Sequence, residues 1–168
     1  MKQGIYKVLK NEQLTETVFR MVLEGDTTAL TAPGQFINLT VEGFYLRRPI
    51  SVYDWDENTV TIIYKVVGEG TEKMSEWKAG YECDILTGLG NGYDLTASGD
   101  HPLLVGGGVG VPPLYNLARL LREEGKAVTV ILGFNTKDEV FYEDEFRALG
   151  CEVIVTTADG SHGTKGFV

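Results

Sequence analysis

Hydrophobic and polar residues alternate along the first hundred positions with the period of two that is typical of β-strands. In TVTIIYKVV, for example, Val60, Ile62 and Tyr64 fall on one face of the strand. Turn signals separate six such stretches, which are residues 4–10, 15–24, 35–42, 49–55, 59–67 and 82–87. Short strands at this regular spacing predict a six-stranded antiparallel barrel. A short helix is predicted at 72–78, with Thr71 as its N-cap.

The pattern changes after residue 100, where apolar strands alternate with amphipathic helices. HPLLVGG, AVTVILGF and CEVIVTT are apolar enough to be strands of a parallel sheet that is buried on both faces. Leu114, Leu117 and Leu121 recur at helical spacing between the first two, and a capping-box pattern at 136–139 opens a second helix. This βαβαβ order predicts part of a doubly wound, nucleotide-binding domain. We therefore predict two domains, residues 1–99 and 100–168.

Composition and charge exclude several classes of protein. The chain is 43% apolar and 23% charged, as in a soluble globular protein, and it carries neither a membrane span nor a signal peptide. Fifteen Lys and Arg residues against 24 Asp and Glu give a net charge of −9, without the basic cluster of a nucleic-acid binder. Cys83 and Cys151 each stand alone, which excludes a disulfide framework or a metal site and favours the cytoplasm.

A glycine-rich turn joins the first apolar strand of the second half to its helix. Its residues are Gly106, Gly107, Gly108, Gly110 and Pro112. Such a turn lets the backbone approach a pyrophosphate, and the start of the helix adds free N–H groups, so we predict a nicotinamide-dinucleotide site here. Pro113 replaces the third glycine of the usual fingerprint, and a tight turn without a ligand is the alternative. The residues leave NAD and NADP both open, because the second strand ends at Phe134-Asn135 without an acidic residue to bind the ribose, and Lys137 is nearby.

Two motifs in the barrel half carry candidate anion-binding groups. The first is Arg48, Pro49, Ile50 and Ser51, which follow Arg47 on a strand. The forked guanidinium group of arginine suits a phosphate. The alternative is an edge strand that charge and proline protect against aggregation, because it would have the same sequence pattern. The second runs through Tyr64, Lys65, Val66, Gly70 and Thr71 into the short predicted helix. Its glycines and threonine predict an anion site where that helix begins.

The order of these motifs resembles the ferredoxin-reductase flavoproteins, in which a barrel holds FAD and an α/β domain holds the nicotinamide cofactor. The chain is similar in particular to the electron-transfer subunits of two-subunit, NAD-linked dihydroorotate dehydrogenases. Besides the glycine-rich turn, the motifs that carry this similarity are Pro33-Gly34-Gln35-Phe36, Leu46–Ser51, Tyr64–Thr71, Leu89-Gly90-Asn91-Gly92-Tyr93 and Asp159-Gly160-Ser161.

The resemblance implies a role for each candidate residue. Arg48 would face the phosphates of FAD and Ser51 the reactive edge of its ring, with Pro49 and Ile50 between them. Tyr64, Lys65 and Val66 would line the flavin. Gly70 and Thr71 would hold the pyrophosphate. No residue is assigned as a catalytic acid or base.

The resemblance also implies an electron path and a partner. A subunit with FMN would oxidise dihydroorotate, and electrons would pass through a [2Fe–2S] centre to FAD and then to NAD⁺. Members of the family hold that centre with a cysteine cluster near the carboxyl terminus, which this chain does not contain. We therefore expect a truncated chain in which the first strand of the α/β half, HPLLVGG, is left at the edge of its sheet. We also expect weak NAD binding, and a homo-oligomer or strand-swapped dimer that forms through this edge. The alternatives are a related NAD(P)H:acceptor reductase subunit, of the sulfide dehydrogenase type, and a docking module without cofactors.

Overall fold

The computed structural model describes all residues, Met1–Val168, and divides into two compact units, Met1–Tyr93 and Asp94–Val168. The division falls between residues 93 and 94, whereas the sequence placed it between 99 and 100. The difference arises because the segment after Tyr93 is bonded to the second unit. The Lys126 ammonium donates to the Leu95 carbonyl at 3.2 Å and to the Ser98 hydroxyl at 2.8 Å.

The first unit is a closed antiparallel barrel of six strands in the order β1-β2-β5-β4-β3-β6, as predicted. The strands are β1 Lys2–Gln13, β2 Val18–Glu24, β3 Phe36–Leu39, β4 Arg48–Trp55, β5 Thr59–Lys65 and β6 Glu82–Leu89. Alternate residues of each strand point inward, so that Met21, Ile62 and Ile85 are fully buried in one core. Closure pairs every strand on both sides and leaves this sheet without an exposed edge.

Helix α1, Glu69–Ser75, begins earlier than the sequence predicted. Gly68 stands at the N-cap, and Thr71, which we predicted as the cap, is the third residue of the helix. The Thr71 hydroxyl reaches back, accepting from the Val67 N–H at 2.9 Å and donating to the Gly68 carbonyl at 2.9 Å. The prediction was wrong because the threonine hydroxyl can bond to the backbone at the helix start from inside the first turn as well as from the N-cap position. The N-cap residue itself is Gly68, whose backbone is extended.

The second unit is a parallel sheet with helices, in the strand order β10-β9-β8-β7. Its elements are β7 Leu103–Gly107, α2 Pro112–Glu123, β8 Thr129–Phe134, α3 Glu143–Ala148, β9 Glu152–Thr157 and β10 Thr164–Lys165. The predicted βαβαβ order is confirmed. The two-residue strand β10 was not predicted, because so short a strand has no periodicity to detect.

The second predicted helix of this unit is broken into two pieces. Lys137–Glu139 forms one 3-10 turn, and α3 begins only after Tyr142, which has a left-handed φ of 64°. The Thr136 side chain makes no cap bond, and the Glu139 carboxylate accepts from the Asn135 amide at 2.9 Å instead. The helix is interrupted where Phe141 packs edge-on against Phe134, with ring centroids 5.3 Å apart.

Strand β7 lies at one edge of its sheet and is buried on one face only. Leu104 and Gly106 are buried beneath α2, while Leu103 and Val105 are 57% and 51% exposed. Burial of this strand on both faces, which its apolar composition predicted, is therefore not observed. None of the helices in the structure is long and apolar enough to cross a membrane.

The barrel core predicts the effect of shortening Ile62, whose side chain is fully buried. Ile62→Ala should lower the free energy of unfolding of the barrel by about 2–5 kcal/mol, because it removes buried methyl groups and leaves a cavity. Guanidinium denaturation measures this loss. Ile5→Ala is the matched control, since Ile5 lies on β1 and is 62% exposed. A loss at Ile62 no larger than at Ile5 would contradict the inward orientation of β5.

Candidate functional site

A cleft of about 370 Å³ opens on the barrel where β4 begins and where β5 leads into α1. This volume falls within the range of small-molecule sites, about 300–1,000 Å³. The cleft is lined by Phe44, Arg48, Val67, Gly68, Glu69, Gly70 and Thr71. Two segments that the sequence singled out separately, around Arg48 and around Gly70, therefore meet in one place.

The Arg48 guanidinium lies directly against the backbone of Gly70. A Cβ on Gly70 would stand 2.3 Å from the Arg48 Nε, so that a glycine at this position is a condition of the contact. The guanidinium also lies over the Phe44 ring, with its central carbon 4.9 Å from the ring centroid, and one amino group donates to the Leu46 carbonyl. Arg48 is thus held in the cleft as a planar cation with several N–H donors.

The two adjacent arginines have different surroundings. Arg47 turns to the barrel wall, where its guanidinium pairs with the Asp84 carboxylate at 2.7 Å and donates to the carbonyls of Asn38 and Asp84. Burial alone would raise the pKa of Asp84, but hydrogen bonds from Gln3 and Arg47 outweigh it and the pKa is lowered. Arg47 therefore joins strands β3 and β6, and only Arg48 serves the cleft.

The turn from Val67 to Thr71 is shaped by the Thr71 hydroxyl. This group accepts from the N–H groups of Val67 and Gly68 and donates to the Gly68 carbonyl, so it is occupied within the turn. Helix α1 has only seven residues, and a helix this short contributes little dipole. The positive charge of the cleft therefore comes from Arg48 rather than from the start of the helix.

The remaining barrel residues that the sequence singled out do not line the cleft. Pro49, Ile50 and Ser51 continue along β4, and Tyr64, Lys65 and Val66 run along and just past the end of β5. The Tyr64 ring is 1% exposed and stacks with Phe19 inside the barrel, and its hydroxyl donates to the Asn11 side chain at 3.1 Å. Burial raises the pKa of Tyr64 to about 12. Because Tyr64 is buried almost completely, backbone included, it presents no surface to a ligand.

Sequence reasoning missed Phe44 as a cleft residue. Its signal was the run Gly43-Phe44-Tyr45-Leu46, in which Tyr45 and Leu46 are large, apolar and exposed. Exposed aromatic residues beside an arginine are a mark of a binding surface rather than of a core.

The glycine turn of the second unit joins β7 to α2, as predicted. β7 ends at Gly107, a 3-10 turn spans Gly108–Gly110, and α2 starts at Pro112. Gly108 has a φ of 52°, which favours glycine. A Cβ on Gly106 would lie 2.7 Å from the Leu114 side chain, so this glycine lets the strand and helix pack closely.

The start of α2 does not offer the free N–H groups that the sequence predicted. Pro112 and Pro113 occupy the first helical positions and have no N–H. The Val111 N–H is bonded to the Gly108 carbonyl at 3.1 Å and the Leu114 N–H to the Val111 carbonyl at 3.0 Å. Backbone donors for a phosphate must therefore come from the glycine turn itself.

No family model matches the chain. The chain is 48% identical over 169 residues to the dihydroorotate dehydrogenase B (NAD⁺) electron transfer subunit of Fusobacterium nucleatum, covering 96% of the chain and 65% of that relative. It is 45% identical over 176 residues to the subunit of the same name from a Geobacillus strain, covering 100% of the chain and 68% of that relative. The chain thus spans about two thirds of the length of these relatives.

Solved structures share the fold. The structure of the NADH-dependent reduced ferredoxin–NADP oxidoreductase superposes with a TM-score of 0.86 at 34% identity, over 97% of this chain and 60% of the other. The ferredoxin reductase of carbazole 1,9a-dioxygenase superposes with a TM-score of 0.87 at 22% identity, over 99% and 55%. The barrel and the parallel sheet are therefore the ferredoxin-reductase arrangement.

The Arg47–Asp84 pair predicts a pH-dependent stability. Arg47→Ala should lower the free energy of unfolding at pH 7 by about 1–3 kcal/mol, because it leaves a carboxylate and two carbonyls without their donor. The pKa of Asp84 in the folded protein lies below its ordinary value of 3.8, so this stabilisation is present above that value and disappears as the pH falls through the folded pKa. Urea denaturation at pH 7 and pH 3 measures both effects.

Arg20→Ala is the control for this prediction, because the Arg20–Glu12 pair has similar exposure. Its expected cost is under about 1 kcal/mol, as for an ordinary surface pair. An Arg47 variant that loses no more than the Arg20 variant at pH 7 would contradict the role of Arg47 in the barrel wall.

Proposed function

The chain belongs to the family of dihydroorotate dehydrogenase B electron-transfer subunits, and on this premise we propose that it carries electrons from a dihydroorotate-oxidising partner through FAD to NAD⁺. The observation that carries the proposal is the Arg48 guanidinium held against Gly70 in the barrel cleft. The proposal concerns the whole protein. The matched relatives are about half as long again as this chain.

The cleft fits the phosphate-bearing part of FAD. Arg48 offers charged N–H donors to a phosphate, and the missing side chain of Gly70 makes room for the guanidinium itself beside the turn. The turn that Thr71 holds together fixes the backbone next to that space. We assign the flavin ring to the neighbouring Pro49, Ile50 and Ser51 and to Lys65 and Val66, and not to the buried Tyr64.

FAD, when bound, supplies the capacity to accept electrons one at a time and to give them up as a pair. The residues of this chain bind and orient that group, and none of them is assigned a proton transfer. Arg48 neutralises phosphate charge, while Phe44 and Val67 give the cleft apolar surface.

We propose the glycine turn Gly106–Gly110 as the NAD site. The turn can offer only its own amides, because Pro112 and Pro113 remove the donors that a helix start would add. Binding of NAD by this chain is therefore expected to be weak.

The residues of this chain do not fit a [2Fe–2S] centre. Such a centre needs four cysteine or histidine ligands, and the two cysteines, Cys83 and Cys151, are buried free thiols. Burial raises the pKa of Cys83 to about 12, so this thiol stays protonated. No group of three or more potential ligands is arranged to hold a metal ion.

We propose an FMN-containing dihydroorotate dehydrogenase catalytic subunit as the partner and the cytoplasm as the compartment, where free thiols are stable. A homo-oligomer or strand-swapped dimer through β7 stays a prediction, supported by the exposed Leu103 and Val105 on an edge strand.

A second candidate function is a reductase subunit that exchanges electrons with another acceptor. The similarity to the NADH-dependent reduced ferredoxin–NADP oxidoreductase, at 34% identity, favours this candidate. A docking module without cofactors is the remaining alternative, and a purified chain that takes up no FAD would support it.

Removing the charge of Arg48 tests the FAD site. Arg48→Met should raise the FAD dissociation constant about 10- to 100-fold, because a charge-assisted contact is worth about 1.5–3 kcal/mol. Arg48→Lys keeps the charge but loses the fork, so its loss should be intermediate. Quenching of flavin fluorescence measures binding, with Arg20→Ala as the control arginine. FAD affinity unchanged in Arg48→Met would place the site elsewhere.

Reconstitution tests the electron path. In the whole protein, which includes the part that holds the [2Fe–2S] centre in the family, dihydroorotate-dependent reduction of NAD⁺ should be observed only when the FMN-containing catalytic subunit is present, since no residue of this chain is assigned to dihydroorotate oxidation. Reduction of NAD⁺ by the isolated chain with dihydroorotate would contradict this. Activity with reduced ferredoxin, and none with the catalytic subunit, would favour the second candidate.

A further inference from the structure

A β-bulge in strand β1 turns Asn11 towards the inside of the barrel. The pairing of β1 with β2 shifts register between Val8 and Lys10, where β1 has one extra residue. Val8 lies opposite Leu23, and Asn11 lies opposite Met21, two residues of the buried core. Without the bulge, Val8 and Asn11 would point to opposite faces, because they are an odd number of positions apart.

The Asn11 amide bonds to the carboxyl end of helix α1. Its nitrogen donates to the carbonyls of Met74 at 2.9 Å and Trp77 at 3.2 Å, with that of Ser75 at 3.4 Å. Its oxygen accepts from the Tyr64 hydroxyl at 3.1 Å. The carbonyls fix which end of the amide faces the helix, because they can only accept and therefore require the amide nitrogen.

Helix α1 depends on such contacts for its position. A seven-residue helix is not stable alone, and the last carbonyls of any helix have no partner within it. Met74 anchors the helix in the barrel core, and Asn11 holds its carboxyl end. The amino end of the same helix, about 10 Å away, carries Gly70 and Thr71 of the cleft.

We infer that Asn11 is a positioning residue for the cofactor cleft: with Tyr64 it clamps the carboxyl end of α1 and so sets where Gly70 stands against Arg48. The inference rests on the proposed function, since it assigns the cleft to FAD. Asn11 acts through the helix and does not touch the cleft itself.

Two independent measurements on the full chain test the clamp. In Asn11→Ala, amide hydrogen exchange of Glu72–Ser75 should rise about tenfold without FAD, while exchange in β6 stays the same. The FAD dissociation constant should rise about tenfold as well. Asn11→Asp, which keeps the size but replaces the donor with a negative charge facing the helix carbonyls, should lose at least as much as Asn11→Ala, and Tyr64→Phe should show a smaller change in the same direction.

A double-mutant cycle separates positioning from general destabilisation. Arg48→Met should cost at least about threefold less FAD affinity in the Asn11→Ala background than in the wild type, because both act on one end of α1. Asp56→Ala is the matched control. The Asp56 carboxylate also accepts backbone N–H bonds, from Asn58 and Thr59 in the β4–β5 turn, and its effect should be additive with Arg48→Met.

The outcomes distinguish the clamp from the proposed function. A wild-type chain that takes up no FAD would overturn the proposed function, and the positioning role with it. Unchanged exchange of α1 in Asn11→Ala would overturn the clamp alone. Faster exchange with unchanged FAD affinity, or an additive cycle with Arg48→Met, would show that Asn11 does not position the cleft.

Discussion

The approach of the Arg48 guanidinium to the backbone of Gly70 is the contact on which the barrel site depends. It requires a residue without a side chain at position 70 and a strand that directs Arg48 outward into the cleft. Arg48 opens β4, and its neighbour Arg47, just before that strand, is held by its ion pair with Asp84. Arg48 is therefore the arginine left to enter the cleft.

The two glycine-rich turns of this chain look alike in sequence but offer different chemistry. In the barrel, the turn before α1 supplies shape, and a side chain from another strand supplies the charge. In the second unit, two prolines at the start of α2 remove the amides that usually bind a phosphate there. Glycine content alone therefore does not measure the strength of a phosphate site, because the neighbouring donors decide it.

The proposed function places few chemical demands on the protein. FAD and NAD⁺ carry the redox chemistry, so the chain needs to bind the cofactors, orient them and exclude water. The structure agrees with this division of labour, since its buried titratable groups serve packing. Tyr64 and Cys83 both have raised pKa values through burial, and Tyr64 is hydrogen-bonded within the barrel.

Periodicity and turn chemistry were enough to predict the six-stranded barrel, the βαβαβ unit and the glycine turn, because each is a local consequence of side-chain spacing. The motif order was enough to indicate the family. Only the tertiary structure decided that Arg47 pairs with Asp84, where α1 begins, and that Tyr64 lies inside the barrel. It alone brought Phe44 and Gly70 to Arg48 and turned Asn11 inward. These features depend on contacts between distant strands and on a one-residue bulge, and neither leaves a periodic trace in the sequence.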